Sequence, residues 1–457
     1  MKEQKNIKPS RTFMFEEMPV PQAVLNLTIP TVISSLVMVI YNLSDTYFVG
    51  LLNNPVQTAA VTLVAPVMLG FNAVNNLFGV GCSSMMSRAL GSKRFAFAQS
   101  ISAFGFYCTL AAALLFSFLC LTFREPLLTL LGADAATRAA TDGYLQWTVI
   151  CGAAPAILNV VFAYMVRSEG ASLHASIGTM SGCLLNILLD PFFILPWGLN
   201  MGAAGAGLAT FLSNCVALTY FLVLMYVRRR TTCVCLSPRR FQLKKDIILG
   251  VCSVGIPSSI QNLLNVTGMT LLNNLAAGYG ASAVAAIGIA QKINMVPIQM
   301  AVGFSQGCMP IISYNYSSTN YKRMKASIDF AYHALIPVMV GVTVFYFVFS
   351  GSLIRLFINN DQIIQYGTWF LRGMCLVLPF LRTDFLAVGV FQALGNGRIP
   401  LVFAILRKLV LEIPALLILN ALFPMYGLAY AQFFSELVLS AAAMVMLRRL
   451  YKRLGVR

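Results

Sequence analysis

The chain has 457 residues, of which 58% are hydrophobic and only 10% are charged, and its mean hydropathy is +0.77. Soluble domains carry roughly 25% charged residues, so this composition excludes a soluble protein. The formal net charge of +17 invites a nucleic-acid partner, but the positions of the charges argue against one.

Apolar stretches of about 20 residues, long enough to cross a bilayer, recur throughout the chain. They leave no room for a separate water-soluble domain. We therefore predict an all-α polytopic membrane protein with twelve transmembrane helices. Their approximate bounds are 24–49, 58–82, 97–123, 143–166, 171–195, 203–227, 247–275, 282–308, 328–350, 366–390, 400–423 and 427–447.

Lysine and arginine are distributed according to the positive-inside rule. With the N-terminus inside, 24 of the 32 basic residues fall in segments predicted to be cytoplasmic. Only Arg124, Arg138 and Arg355 fall in external loops. The charge therefore indicates a topology with both termini cytoplasmic, in the cell's inner (plasma) membrane, with lipids rather than nucleic acid as partners. Residues 1–17 are polar, so the first span is predicted to be an uncleaved anchor.

Four short motifs recur in the same order, at offsets of 220 to 227 positions. The pairs are Ile29-Pro30 with Ile256-Pro257, Gly81-Cys82 with Gly307-Cys308, MVRSEGAS with VFQALGNG, and Gly207–Ala209 with Gly427–Ala429. This repeat predicts two six-helix lobes, 1–227 and 247–457, joined by the basic cytoplasmic linker 228–246. Because six is even, the axis that relates the lobes should run along the membrane normal, which suits alternating access.

Five candidate acids lie at least four residues from either end of a predicted span, where a charge costs about 2.5–3.5 kcal/mol on insertion scales and usually faces the bundle interior. They are Asp45, Asp190, Asp384, Glu412 and Glu436. Such residues are candidates for function, but they differ in their surroundings.

Asp190 lies in the stretch NILLDPFFIL, four residues after Asn186 and directly before Pro191. Residues four apart share one helical face, and proline removes a backbone hydrogen bond. Carboxylate, amide and carbonyl oxygens suit a small cation, and a carboxylate out of water can also carry a proton. The alternative is an acid at a helix end, about one turn from the external surface, that only forms hydrogen bonds.

Asp45 follows Asn42 by three residues on the first span, and its alternative is a hydrated position at the external mouth. Asn159 is a buried amide on the fourth span that could join the same cavity. Asp384 precedes Gly395 by eleven residues, as Asn159 precedes Gly170, so the repeat makes the two positions equivalent. For Asp384 the alternative is an ion pair with Arg382 or Arg372.

Lys408 and Glu412 are four residues apart, next to Arg407, and are predicted to pair. Glu436 is interpreted as structural or interfacial. The stretch GAAGAG, Gly202–Gly207, imitates a phosphate-binding loop but has no preceding strand, so we predict close helix packing. There is no P-loop, H-E-x-x-H motif or nucleophile elbow and only two histidines, which argues against an enzyme.

Taken together, these motifs resemble the multidrug and toxic compound extrusion (MATE) family, particularly its MepA-like subgroup. The resemblance covers essentially all twelve spans. It implies two six-helix lobes around a V-shaped cavity, and export of amphipathic, often cationic compounds against an inward H⁺ or Na⁺ gradient. It rests on IPTVISSLVMVIYNLSDTYFVG, FGVGCSSMMSRALGSK, RSEG with NILLDPFFI, and GAAGAGLAT.

In family members whose N-terminal lobe couples transport, acids of spans one and five hold the ion or proton. The matching residues are Asp45 and Asp190, with neighbours Asn186, Asn159 and Thr210. Another branch of the family uses a glutamate eight residues beyond the proline of span seven, where this chain has Asn265, so a cation site of that kind is not expected. For the substrate cavity we expect Asp384, Asn42, Asn265 and Gln261.

The leading hypothesis is a monomeric antiporter driven by H⁺ or Na⁺, with no cofactor and no metal other than Na⁺ at Asp45 and Asp190. One alternative is a lipid-linked saccharide flippase of the same superfamily, which twelve spans and few intramembrane Lys or Arg disfavour. Another is a membrane scaffold or receptor that transports nothing. The sequence leaves Na⁺ and H⁺ as equal alternatives, because one oxygen-rich pocket serves either.

Overall fold

Helices form almost all of the chain that the computed structural model describes, residues 10–456. The first half contains α1 (Ser10–Glu16), α2 (Val20–Gly50), α3 (Pro55–Val74), α4 (Gly81–Gly91), α5 (Phe95–Thr122), α6 (Arg124–Leu130), α7 (Arg138–Leu145), α8 (Ala153–Ser168), α9 (Ser172–Ile194) and α10 (Gly202–Val227). The second half contains α11 (Lys245–Ala277), α12 (Ala281–Ser317), α13 (Tyr321–Arg355), α14 (Asp361–Cys375), α15 (Leu378–Ala393), α16 (Arg398–Ile405), α17 (Ile413–Leu422) and α18 (Ala431–Arg453). Three stretches are π-helical, namely Asn75–Val80, Gln146–Ile150 and Leu406–Glu412.

Each of the twelve predicted spans coincides with one helical stretch of the described chain. Nine of these stretches are continuous, apolar and long enough to cross a membrane. Two more consist of helix pairs bent by 44° and 47°. The remaining stretch, the eleventh along the chain, runs over residues 398–422 and carries Arg407, Lys408 and Glu412 at its middle. The predicted all-α polytopic fold is therefore confirmed.

The bends in the fourth and tenth spans have local causes. In the fourth span, a Cβ on Gly152 would lie 2.6 Å from the carbonyl oxygen of Trp147, so only glycine fits the tight turn before α8. In the tenth, Pro379 has no N–H for the carbonyl of Cys375. The hydroxyl of Thr343 donates to that carbonyl at 3.2 Å, and such side chains restore the hydrogen bonds of broken membrane helices.

Small residues at the start of α10 allow it to pack directly against its neighbours. A Cβ on Gly205 would lie 2.5 Å from the carbonyl oxygen of Phe193 in α9. A Cβ on Gly207 would lie 3.2 Å from the carbonyl oxygen of Tyr144 in α7. The packing predicted for the GAAGAG stretch is confirmed, and it brings Thr210, one turn further along, close to α9.

The chain forms two compact units. Unit 1 comprises Ile33–Ser259 together with the N-terminal segment up to Glu17, and unit 2 comprises Met18–Val32 together with Ile260–Arg457. Each unit therefore includes a short helical segment from the other half of the sequence. The chain passes between the units inside two continuous helices, α2 and α11.

The basic linker after α10 is held by polar contacts within unit 1. The carboxylate of Glu169, from the RSEG motif, accepts hydrogen bonds from the Thr232 hydroxyl and the Cys233 N–H, both at 2.7 Å. The N–H of Cys235 donates to the Ser102 hydroxyl at 3.0 Å. The linker is therefore attached along its first part rather than free, and the RSEG motif provides the main anchor.

Candidate functional site

Asp190 is completely buried on α9, one turn before the helix ends at Ile194. The amide of Asn186 satisfies both of its polar atoms when Nδ2 donates to Asp190 Oδ2 at 2.9 Å and Oδ1 accepts from the Thr210 N–H at 3.1 Å. Pro191 lies inside the helix without breaking it. The predicted position one turn from the helix end is confirmed, but the side chain is enclosed by neutral polar groups rather than by solvent.

Asp45 and Tyr41 lie four residues apart on α2 and face the same polar cluster. Asp45 Oδ1 is buried and has no hydrogen-bond partner among the described residues. The Tyr41 side chain lies beside that of Thr210, and Asp45 lies close enough to Asp190 for the two carboxylates to interact electrostatically. Tyr144 of α7 also lies within electrostatic range of both acids. The structure therefore brings the two predicted acids together.

This group, which we call the Asp45–Asp190 cluster, has the chemistry of a small-cation or proton site. Its members are Tyr41, Asp45, Tyr144, Asn186, Asp190 and Thr210. No ion pair to either acid is recorded in residues 10–456. Because two nearby carboxylates repel each other when both are charged, a bound cation or proton would offset that repulsion. The oxygens present are the hard ligands that such a cation prefers.

Asn159 lies beside the cluster rather than in contact with its acids. Its Nδ2 donates to the Pro155 carbonyl at 2.7 Å and to Asn214 Oδ1 at 2.9 Å. Those two bonds use both hydrogens of the amide. Asn214 lies four residues after Thr210 on α10, so the Asn159–Asn214 pair forms a neighbouring polar layer one turn from the acids.

In unit 2, Asp384 is paired with a cation that the sequence alternatives did not include. The Arg407 guanidinium forms an ion pair with Asp384 and contacts Glu436 Oε1 at 2.9 Å through Nε. Both carboxylates are fully buried and Arg407 is 2% exposed. The expected partners of Asp384 lie elsewhere: Arg382 is stacked on Tyr332 and Arg372 donates to the carbonyl of Phe347. Glu436 is thus buried in an ion pair, and its structural or interfacial role stays a prediction.

Lys408 and Glu412 form the predicted pair, with Nζ 2.7 Å from both carboxylate oxygens. The backbone of α11 passes close to the pair, since a Cβ on Gly268 would lie 3.0 Å from Lys408 Nζ. Arg407, Lys408 and Glu412 all lie in the π-helical segment Leu406–Glu412, a type of irregularity common at functional sites. The two neighbouring ion-pair groups contain three acids and two cations, so together they carry one formal negative charge. The residues are Asp384, Glu412, Glu436, Arg407 and Lys408.

The remaining predicted cavity residues are not gathered around one point. Asn42 is exposed, and its amide donates to the carbonyl of Met38 at 2.9 Å. Gln261 is 9% exposed and Asn265 is half-buried, both on α11 of unit 2. No recorded hydrogen bond links either of them to Asp384 within the described residues. Their role in a substrate cavity stays a prediction.

Sequence reasoning missed Tyr41, Tyr144 and Asn214 in unit 1. Tyr41 could have been identified from the sequence, because it precedes Asp45 by four residues and therefore shares its helical face. Tyr144 and Asn214 come from α7 and α10, and no spacing rule connects them to α2 or α9. They lie near the acids, Tyr144 within electrostatic range and Asn214 one turn away, only because small residues let α10 pack tightly against α7 and α9.

Comparisons with known proteins agree on one family. The MatE family model matches residues 30–192 and again residues 257–418. The two matches begin 227 positions apart, at the two prolines that opened the predicted repeat. The chain is 31% identical to "Multidrug export protein MepA" of Staphylococcus aureus (strain MRSA252) over 451 residues, which covers 98% of each protein. The protein of the same name from Staphylococcus saprophyticus is also 31% identical over 451 residues and 98% of each chain.

Solved structures give the same result at the level of the fold. A multidrug resistance MATE family transporter of the MOP superfamily in an outward-facing conformation matches with a TM-score of 0.92 and 25% identity. The match covers 98% of this chain and 99% of that one. A MATE crystal structure in a straight conformation matches with a TM-score of 0.91 and 25% identity over 98% and 99% of the two chains.

Proposed function

We propose, from the premise that the chain belongs to the MatE family, that it is a secondary active multidrug exporter. It would move amphipathic, often cationic compounds out of the cell in exchange for inward H⁺ or Na⁺. Its many apolar helices make it a multi-pass membrane protein. The proposal includes a monomer in the plasma membrane with both termini in the cytoplasm, as the positive-inside rule favours.

The observation that carries the proposal is the Asp45–Asp190 cluster. The buried Asp190 and the half-buried Asp45 lie within electrostatic range of each other, and no cation neutralises them among the described residues. One carboxylate oxygen of Asp45 is buried and has no partner there. A purely structural acid in a membrane protein would be expected to find a cation or a full set of hydrogen-bond donors. The cluster instead offers Asp45, Asp190, Tyr41 and Thr210 as oxygen ligands.

Drug export is coupled to cation or proton entry because the two conformational states of the protein bind these ligands with different affinities. A cation or proton that binds the Asp45–Asp190 cluster better in one state shifts the population towards that state, and a drug that binds better in the other state shifts it back. Alternating access then exchanges the two ligands across the membrane. This argument applies equally to Na⁺ and to H⁺ as the driving ion.

A flippase for lipid-linked saccharides is less well supported. Such a substrate carries phosphates, which free intramembrane cations would bind. In the described chain Arg407 is occupied by Asp384 and Glu436, and Lys408 by Glu412. Arg407 and Lys408, at the middle of the stretch 398–422, are thus already neutralised.

The decisive experiment measures efflux of a fluorescent lipophilic cation in proteoliposomes that contain the purified full-length protein. A pH gradient and a Na⁺ gradient are imposed separately. Wild-type protein should transport under at least one gradient, and Asp45→Asn and Asp190→Asn should each reduce transport to the level of empty vesicles. Asp246→Asn removes the same charge from an exposed position and should transport like wild type.

Two results would contradict the proposal. Full transport by a correctly inserted Asp190→Asn variant would exclude the coupling role of the cluster. Wild-type vesicles without flux under either gradient, for a panel of cationic and neutral drugs, would favour a scaffold or receptor that transports nothing.

A further inference from the structure

A cavity of about 410 Å³ lies in unit 2, at the end where α12 and α15 finish and α16 begins. Its wall on one side is the last two turns of α18. The apolar part is formed by Phe391, Leu394 and Met446, and the polar part by Asn396, Arg449 and Arg453. This volume lies in the range of small-ligand sites. None of its residues belongs to the Asp45–Asp190 cluster or to the buried ion pairs around Arg407.

The two arginines are arranged to hold one anion. Arg449 and Arg453 are four residues apart on α18, so their side chains leave the same helical face. Both are exposed, and neither forms a recorded ion pair or hydrogen bond with the described residues 10–456. Asn396 adds an uncharged polar group at the same opening. Guanidinium groups bind phosphate oxygens in a two-pronged geometry, and here both are unengaged.

The cavity lies at a membrane surface, because α18 is an apolar span that ends four residues after Arg449. Earlier on the same helix, Met444 and Val445 are exposed apolar side chains, as expected where a helix faces lipid tails. The arginines therefore occur at the level at which a helix leaves the hydrocarbon layer. Ligands at this level have an anionic head and an apolar body.

We propose that this cavity binds the headgroup of an anionic phospholipid. The phosphate lies between Arg449 and Arg453, and the glycerol and the first part of the acyl chains pack on Phe391, Leu394 and Met446. A free phosphate would use the arginines but not the apolar wall. A neutral phospholipid would use the wall but would satisfy the arginines less well. The proposal is independent of drug transport, since it concerns a lipid held at the surface.

The test measures phospholipid binding to the purified full-length protein in detergent by native mass spectrometry. Phosphatidylglycerol, phosphatidylcholine and inorganic phosphate are the three probes. We expect wild-type protein to retain phosphatidylglycerol in preference to phosphatidylcholine, and inorganic phosphate at the same concentration not to displace it. The double variant Arg449→Gln/Arg453→Gln should bind phosphatidylglycerol roughly thirtyfold more weakly, since each arginine near an anionic surface contributes on the order of a fivefold factor.

The neighbouring residues provide a matched control. Arg448 and Lys452 are also four residues apart on α18, but they do not line the cavity. The variant Arg448→Gln/Lys452→Gln has the same net charge as the first double variant and should bind phosphatidylglycerol within about twofold of wild type, because neither side chain lines the cavity. General attraction to anionic lipid depends on net charge and would fall equally in both variants. Leu394→Trp fills the apolar part without changing charge and should also weaken binding.

Three outcomes would overturn the proposal. Equal losses in the two double variants would mean that only surface charge matters. Displacement by inorganic phosphate would indicate a free-anion site. If wild-type protein retains phosphatidylcholine as well as phosphatidylglycerol, the arginines do not select an anionic headgroup. This comparison uses wild-type protein only, so it does not depend on the folding of any variant.

Discussion

In unit 1 the neighbours of Asp190 and Asp45 are neutral hydrogen-bonding groups, whereas unit 2 pairs its buried acids with cations. Asp190 receives an amide N–H from Asn186, and Asp45 keeps one oxygen without a partner among the described residues. Asp384 and Glu436 share Arg407 instead. A buried acid with neutral neighbours can exchange a cation or proton, while a buried ion pair is costly to disturb. Although the two units come from one sequence repeat, the acids inside their helices therefore have different neighbours, which are neutral in unit 1 and cationic in unit 2.

The largest effect on stability is expected for Arg407→Met. The substitution leaves Asp384 and Glu436 buried without their common cation, and removing one partner of a buried pair costs about 3–5 kcal/mol. The free energy of unfolding in mixed micelles, measured with a chemical denaturant, gives the value. Arg398→Met, at an exposed position, should stay within about 0.5 kcal/mol of wild type.

A rescue variant sharpens that result. Adding Asp384→Asn and Glu436→Gln to Arg407→Met removes the unpaired charges and should recover most of the lost stability. If Arg407→Met unfolds at the same denaturant concentration as wild type, the ion pairs in unit 2 contribute nothing, and the contrast between the units disappears.

A smaller loss is expected for Gly268→Ala. The new Cβ would lie 2.9 Å from Lys408 Cδ and 3.2 Å from Glu412 Oε1, so the ion pair must shift, at a cost of about 1–3 kcal/mol. Gly288→Ala in α12 meets nothing within 4 Å and should stabilise the helix by about 0.5–1 kcal/mol. The same denaturation assay distinguishes the two, and a stabilised Gly268→Ala would show that the pair has room to move.

Tyr41→Phe should have a modest effect on stability and a clearer one on coupling. It removes the hydroxyl beside Thr210 and Asp45, and one polar group of this kind contributes about 0.5–1.5 kcal/mol. We expect a higher driving-ion concentration for half-maximal efflux, with little change in the maximal rate. Tyr47→Phe, on the same helix but 62% exposed, should leave the half-maximal concentration unchanged; an equal shift in both would point to a general effect on α2.

Asp190→Asn should alter stability least, although it is expected to abolish coupled transport. The amide oxygen of asparagine can still accept from Asn186, so the change in unfolding free energy should stay below about 1 kcal/mol. Glu436→Gln removes the same charge in unit 2 and should cost more, because Arg407 then keeps only Asp384. Equal losses in the two variants would mean that the electrostatic settings of the units do not differ as described.

The membrane fold was predictable because a run of about 20 predominantly apolar residues indicates each span. The bends near Gly152 and Pro379 were not, because each depends on a few backbone hydrogen bonds within an otherwise apolar run. Local pairs were also within reach: Asn186 with Asp190 and Lys408 with Glu412 are both four residues apart. The Arg407 contacts with Asp384 and Glu436 join three separate helices, and helical spacing carries no information about them.

The attachment of the linker has a consequence for how the two halves of the sequence hold together. The linker leaves α10 and returns to α11, and both α10 and the first part of α11, up to Ser259, belong to unit 1. It therefore closes a loop inside one unit, while each half of the chain donates a helical segment to the unit of the other, as partners do in a domain-swapped dimer. A chain cut in the linker would become two interlocked polypeptides. Fragments 1–237 and 238–457 produced together should copurify, and neither should accumulate when produced alone.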